Sequence, residues 1–192
     1  MSQQVRQAGK SNTYSLKNFN ILLVEDYEFL QQLITGMLRA FGVGGIIVCG
    51  SGEEAKGLLS IMAASKSADM KMVDIVLTDW MMPDGSGEEL IRWIRNHKSD
   101  KIKFLPLVMV SAFTSEDVVK AARDFGANEA LVKPVSGEKI ATRILSVIDH
   151  PRPFIKSPDF FGPDRRRKDL PWKKEERRKM DAEMIKVHNE QL

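Results

Sequence analysis

Five short apolar runs alternate with amphipathic segments between residues 19 and 150. Each run is brief, rich in β-branched side chains and nearly free of polar residues, which is typical of strands buried on both faces. The runs lie at 20–24, 46–48, 73–78, 107–110 and 130–132. The segments between them repeat apolar residues every three or four positions, as at Phe29, Leu33 and Met37, and this spacing predicts helices.

Turn and capping residues agree with these boundaries. Ser51 and Ser86 each stand three positions before a glutamate, which is the pattern of a capping box at a helix start. Gly42 and Gly126 follow predicted helix ends, where a left-handed residue is often needed. The alternation therefore predicts an α/β fold, a doubly wound (βα)5 sandwich around a five-stranded parallel sheet.

Polar residues stand where four of the predicted strands end. Glu25 and Asp26 follow the first strand, Asp79 the third, Ser111 the fourth and Lys133 the fifth. Because parallel strands bring their carboxyl ends to one edge of a sheet, these side chains should converge. Three carboxylates at one place repel one another unless a cation is present, and Mg²⁺ suits a site with few protein carboxylates.

Asp79 has three candidate roles at this point: a nucleophile, a metal ligand or a cap for the next helix. A lysine and a hydroxyl beside it favour an anionic ligand, with Asp79 attacking phosphorus while Lys133 and Ser111 contact the phosphoryl oxygens. Structural roles compete with each assignment. Glu25 and Asp26 could cap a helix, Ser111 could bond to the backbone, and Lys133 could be solvated.

Over residues 19–150 the sequence resembles the response-regulator receiver domain of two-component signalling, a flavodoxin-like fold. The resemblance is specific because five short segments occur in the family's order. They are Glu25-Asp26, Asp79 followed by MMPDGSG, Ser111-Ala112, Gly126-Ala127 and Lys133-Pro134.

The resemblance implies a phosphoacceptor role for Asp79, with a histidine kinase or a phosphotransfer protein as the donor. It also implies a Mg²⁺ site. Asp26 and Asp79 would bind the ion, Glu25 would act through water, and the backbone carbonyl of Met81 would complete the coordination.

The same resemblance implies that Ser111 is a switch hydroxyl that follows the phosphoryl group and that Lys133 pairs with it. One position departs from the family pattern. Many receivers carry a Tyr or Phe where this chain has Ala130, and an alanine has no rotamer to switch. We therefore expect phosphorylation to change the loop after Ser111 and the following helix, with little change around the last strand.

The flanking segments differ from the central region in composition. Residues 151–171 contain several prolines and an arginine cluster, so they should form neither a helix nor a core of their own. The predicted organisation is a polar N-terminal arm at 1–18, a receiver domain at 19–150, a Pro/Arg-rich linker at 151–171 and an amphipathic C-terminal helix at 172–192.

Charge and composition limit the function. Residues 19–150 hold 14 basic and 18 acidic residues, whereas 151–192 hold 12 basic and 8 acidic ones. An acidic body argues against nucleic acid as its ligand, although a regulator whose basic tail binds nucleic acid is one alternative. The chain has a single cysteine and lacks an apolar stretch of membrane-span or signal-peptide length, so a cytoplasmic protein is expected.

The expected function is a stand-alone receiver that signals through protein–protein interaction, with an output protein that the sequence does not identify. Phosphorylation-dependent homodimerisation is a further expectation. An aspartyl phosphatase-like enzyme would use the same nucleophile, metal and lysine. Phosphatases of the haloacid dehalogenase type need a second acid two residues after the nucleophile, and that residue is Met81 here. We therefore expect no enzyme activity beyond slow autophosphatase activity.

Overall fold

The computed structural model describes residues 15–67, 70–112, 116–165 and 186–188. Its centre is a five-stranded parallel sheet in the order β2-β1-β3-β4-β5, as the apolar runs predict. The strands are β1 (Asn20–Val24), β2 (Gly45–Cys49), β3 (Ile75–Asp79), β4 (Leu107–Ser111) and β5 (Glu129–Val132).

Helices cover both faces of this sheet. They are α1 (Glu28–Ala40), α2 (Gly52–Ala64), α3 (Gly87–Arg95), α4 (Asp100–Lys103), α5 (Glu116–Phe125) and α6 (Gly137–Asp149). Successive residues of β1 pack into two hydrophobic cores, one on each face of the sheet. Leu22 packs with side chains of α2, α3 and α5, and Ile21 packs with those of α1 and α6. Burial on both faces explains why the strands read as continuous apolar runs.

The helix caps fix where the loops at the sheet edge begin and end. Ser86 forms the predicted capping box with Glu89 in both directions. At α2 the Ser51 hydroxyl accepts from Glu54 N, but the Glu54 carboxylate accepts from Gly50 N instead of completing the box. Gly126 has a φ of +105°, so the predicted left-handed residue after α5 is present. Within the described ranges, no helix combines the length and apolar character needed to cross a membrane.

The chain beyond α6 differs from the prediction. Strands β6 (Phe154–Ser157) and β7 (Phe160–Pro163) form an antiparallel hairpin, and β8 (Lys186–His188) pairs with the other side of β6. The prediction of a linker is therefore wrong for 154–163, and that of a helix is wrong for 186–188. The remainder of the predicted helix lies outside the described residues.

The hairpin forms because the receiver supplies its apolar partner. The ring of Phe104, which precedes β4, lies 4.9 Å from the ring of Phe154 and 5.3 Å from that of Phe161, measured between centroids. The prolines of this segment lie beside or at the ends of the two strands, where they interrupt no central ladder. At the other terminus, Leu16 is buried in a 3₁₀ turn at Leu16–Asn18. The predicted arm at 1–18 thus extends too far, since its last residues belong to the folded domain.

Candidate functional site

Three carboxylates meet at the carboxyl edge of the sheet. Glu25 and Asp26 follow β1, and Asp79 is the last residue of β3. One carboxylate oxygen from each lies within 4.8 Å of the others, a spacing that could hold a metal ion. Glu25 is 1% exposed and Asp79 8% exposed, while Asp26 faces solvent. The convergence predicted for these residues is therefore present, with an open side at Asp26.

Lys133 reaches this cluster from the end of β5. Its Nζ donates to Glu25 Oε2 at 2.8 Å and to Asp79 Oδ2 at 2.9 Å. Burial lowers the pKa of Lys133, but hydrogen bonds with the two carboxylates outweigh it and raise this pKa above its usual value. Burial also raises the pKa of Glu25, and the charge of Asp79 adds to this effect, while Lys133 opposes it. One lysine thus offsets only part of the acidic charge.

The carboxylate of Asp79 is held at both oxygens. Oδ1 accepts from the backbone N–H of Trp80 at 2.7 Å, and Oδ2 accepts from Lys133. A Cβ added to Gly87, the first residue of α3, would lie 2.0 Å from the Asp79 carbonyl oxygen. The loop after Asp79 can return this close only because residue 87 is glycine. Met81 lies in that loop with its side chain 60% exposed, so only its backbone would serve the site.

Ser111 is the last residue of β4 and is 1% exposed. Its carbonyl oxygen accepts from Lys133 N at 2.7 Å, which joins the ends of β4 and β5. In the register of the sheet Asp79 lies opposite Val110, one residue before Ser111. The hydroxyl therefore belongs to the strand end beside Asp79, and residues 113–115, which follow it, lie outside the described part.

Ala130 of β5 is partly buried and lies opposite Met109 of the neighbouring strand β4. A groove of about 510 Å³ runs over this strand between α5 and α6, with Val119 and Thr142 among its lining residues. The small side chain leaves this surface concave. The prediction that the switch works without a ring at this position remains a prediction.

One buried arginine, Arg95, was not predicted from the sequence. Arg95 is 3% exposed, and its guanidinium donates to the carbonyl oxygens of Lys103, Leu105 and Gly126 and to Asn128 Oδ1. Burial lowers its pKa to about 9, so it remains charged at neutral pH. The available signal was a basic residue at the end of the apolar face of α3.

Cys49 ends β2 and is 2% exposed. Burial raises the pKa of its thiol to about 12, and the charge of Glu54 contributes. Cys49 is therefore a small residue of the core.

A five-stranded parallel sheet whose carboxyl edge joins three acids to a lysine defines a flavodoxin-like signalling domain. The chain belongs to the response regulator receiver domain family of two-component signalling, and the family model matches residues 21–145. The match ends before the hairpin.

Known relatives include chemotaxis proteins. The chain is 27% identical to the chemotaxis protein CheY-3 of Vibrio cholerae over 133 residues, which is 69% of this chain and 94% of that protein. It is 28% identical to CheY of Pseudomonas aeruginosa over 129 residues, or 67% and 95% of the two chains.

A solved structure, the CheX-CheY-BeF3-Mg complex from Borrelia burgdorferi, has a TM-score of 0.59 and 28% identity, covering 68% of this chain and 89% of that one.

Proposed function

We propose that this protein is a phospho-accepting response regulator in a two-component phosphorelay. Asp79 accepts a phosphoryl group from a phosphohistidine of a histidine kinase or a phosphotransfer protein. The observation that carries the proposal is the contact of Asp79 Oδ2 with Lys133 Nζ at 2.9 Å beside two further carboxylates. This geometry joins a nucleophile, a cation and a candidate metal site.

The residues present fit Mg²⁺ because the donor set is hard oxygen and its negative charge exceeds the charge of Lys133. Asp26 and Asp79 would bind the ion, with Glu25 acting through water and Met81 contributing its carbonyl oxygen. Bound Mg²⁺ supplies positive charge that offsets the repulsion between the carboxylates and an incoming phosphoryl group. The exposure of Asp26 leaves an entry side for the ion.

The transfer uses Asp79 Oδ2, which Lys133 must release as the phosphoryl group arrives. A bond forms between this oxygen and phosphorus while the phosphorus–nitrogen bond of phosphohistidine breaks, and the electron pair of that bond stays on the imidazole. The Trp80 N–H holds the other oxygen and so orients the carboxylate. Lys133 then moves its hydrogen bond from the carboxylate to the phosphoryl group, and the Ser111 hydroxyl donates to another phosphoryl oxygen.

The phosphorylated protein itself carries the signal, and it is not an enzyme intermediate on the way to a released compound. An aspartyl phosphatase would need a general acid near the nucleophile, and position 81 offers an exposed methionine. At most, water slowly hydrolyses the acyl phosphate. The two arginines in the described part of the basic segment, Arg152 and Arg165, pair with Glu129 and Asp124, which favours contact with the domain over nucleic-acid binding.

Exposed apolar side chains suggest where a donor protein binds. Tyr27, Phe29 and Leu33 are 60%, 61% and 40% exposed and lie at or near the start of α1, next to Asp26. A patch of this kind beside a reactive carboxylate favours protein contact. The output is a change in binding to a further protein or to a second copy of the chain. The cytoplasm is the proposed compartment, in agreement with a single buried thiol.

Beryllofluoride binding tests the proposal, because this ion stands in for a phosphoryl group on a carboxylate. The wild-type protein should bind it only with Mg²⁺ present, and Asp79→Asn should remove binding. Asp149→Asn is a matched control, since Asp149 is an exposed acid at the end of α6, and it should bind normally. Calorimetric titration provides the measurement. Undiminished binding by Asp79→Asn would show that the phosphoacceptor lies elsewhere.

A further inference from the structure

The β6–β7 hairpin is fixed to the receiver by charge as well as by its aromatic contacts with Phe104. Arg152, which precedes β6, donates from Nη2 to Glu129 Oε1 at 3.0 Å. Glu129 is 4% exposed and begins β5, so this pair is partly desolvated. The side chains on the hairpin's own side of these contacts, Arg152 and Phe154 among them, lie outside residues 21–145, the extent of the family match. The hairpin thus lies beyond the part of the chain that the family model covers.

The same hairpin also touches the end of α5. A Cβ added to Gly162 of β7 would lie 3.0 Å from the Cα of Gly126, the residue that follows α5, and 3.0 Å from the far end of the Phe160 ring. Arg165, just after β7, forms an ion pair with Asp124 in the last turn of this helix. Arg95 contacts both the end of α5 and the hairpin. Its Nε donates to Gly126 O at 2.9 Å, and its Cζ lies 5.0 Å from the Phe154 ring centroid.

The last residue of α5, Phe125, also contacts the phosphoacceptor loop. The indole of Trp80 stacks on the ring of Phe125, with centroids 5.8 Å apart and planes 24° apart. Trp80 directly follows Asp79, and its backbone N–H donates to Asp79 Oδ1. A change at Asp79 that moves this loop must therefore move the indole against α5. The helix begins at Glu116, shortly after Ser111.

We infer that the docked hairpin regulates the Asp79 site through α5, with the Trp80–Phe125 stack as the connection. This inference rests on the proposed function and specifies its regulation. In this structure the hairpin is docked and Lys133 donates to Asp79 Oδ2. This hydrogen bond belongs to the site before phosphoryl transfer, so the docked hairpin accompanies the unphosphorylated arrangement. Release of the hairpin frees α5 and favours the phosphorylated arrangement. A partner that pulls on the hairpin thereby changes phosphorylation.

Coupling of this kind is reciprocal. If hairpin docking weakens phosphoryl binding by some factor, phosphoryl binding must weaken hairpin docking by the same factor. Each direction of the coupling has its own measurement. The expected size is about fivefold or more, the lower end of typical allosteric coupling.

The first measurement is the affinity of the full chain for beryllofluoride at saturating Mg²⁺. Gly162→Val should push the hairpin away from Gly126 and lower the dissociation constant about fivefold or more. Gly57→Val is the matched control, because a Cβ at this exposed glycine of α2 would meet nothing within 4 Å. In a Phe125→Leu background the effect of Gly162→Val should disappear, since the ring stack is gone. An affinity of Gly162→Val that is weaker than wild type, or the same within about twofold, overturns the inference.

The second measurement needs no substitution in the hairpin. Amide exchange of residues 154–163 in the wild-type chain should become about fivefold faster when beryllofluoride and Mg²⁺ bind. Mg²⁺ alone should leave it unchanged. Unchanged exchange on beryllofluoride binding overturns the inference even where Gly162→Val fails to fold. Failure of the wild-type chain to bind beryllofluoride would instead overturn the proposed function, so the two failures are distinguishable.

Discussion

Replacing Phe154 by alanine measures how firmly the hairpin belongs to the folded domain. The Phe154 side chain is 7% exposed, and its ring centroid lies 4.9 Å from that of Phe104 and 5.5 Å from that of Phe161. Burying a phenylalanine this fully contributes about 2–3 kcal/mol, and the ring contacts add about 1 kcal/mol. The sum of about 3–4 kcal/mol agrees with the usual cost of Phe→Ala in a core.

Thermal and urea unfolding of the full chain provide the assay. For a chain of this size the loss predicts a melting temperature about 6–16 °C lower for Phe154→Ala. Phe29→Ala removes the same ring from a position that is 61% exposed, and it should change the free energy of unfolding by less than about 0.5 kcal/mol. Equal stability of the two variants would show that the hairpin does not pack on Phe104, and the reasoning about its docking would fail.

Two more predictions concern the charges at the site. Lys133→Met should lower the free energy of unfolding by about 2–3 kcal/mol at neutral pH without Mg²⁺, because it leaves two buried carboxylates without their cation. The raised pKa of Lys133 means that its contribution is complete below pH 10.5 and is lost as the pH rises through the folded-state value, so unfolding curves of wild type and variant should approach each other there. Glu25→Gln should raise stability at pH 7, since the pKa of Glu25 is raised above 4.5 and its ionised form is therefore destabilising. This advantage should vanish below pH 4.5, and Mg²⁺ titration should show weaker binding; a variant less stable than wild type at pH 7 would contradict the assignment.

The sheet and its site could be predicted from sequence because each depends on local patterns. Apolar runs identify the strands, and the parallel arrangement alone brings Glu25, Asp79 and Lys133 to one edge. No distance was needed for that inference. What the pattern could not supply is the direction of each contact, such as the hydrogen bond from Trp80 N–H to Asp79.

The hairpin could not be predicted in this way because its partner is distant in sequence. Phe154 and Phe161 have no apolar periodicity of their own, and they pack on the ring of Phe104, which lies about 50 residues earlier in the sequence. The helix α4 is four residues long, too short for any helical repeat to be visible. Arg95 was missed because a buried cation satisfied by backbone carbonyls has no sequence signature beyond its place on an apolar face.

The buried thiol of Cys49 has a practical consequence for spectroscopy. Thiol-reactive dyes and spin labels attack the thiolate, and a pKa of about 12 together with 2% exposure leaves this cysteine almost inert. Because the chain has no other cysteine, one introduced at the exposed hairpin turn, as in Asp159→Cys, would carry the label alone. The natural sequence is thus already a background for site-specific labelling, and distances from the hairpin turn could be followed without first removing any native side chain.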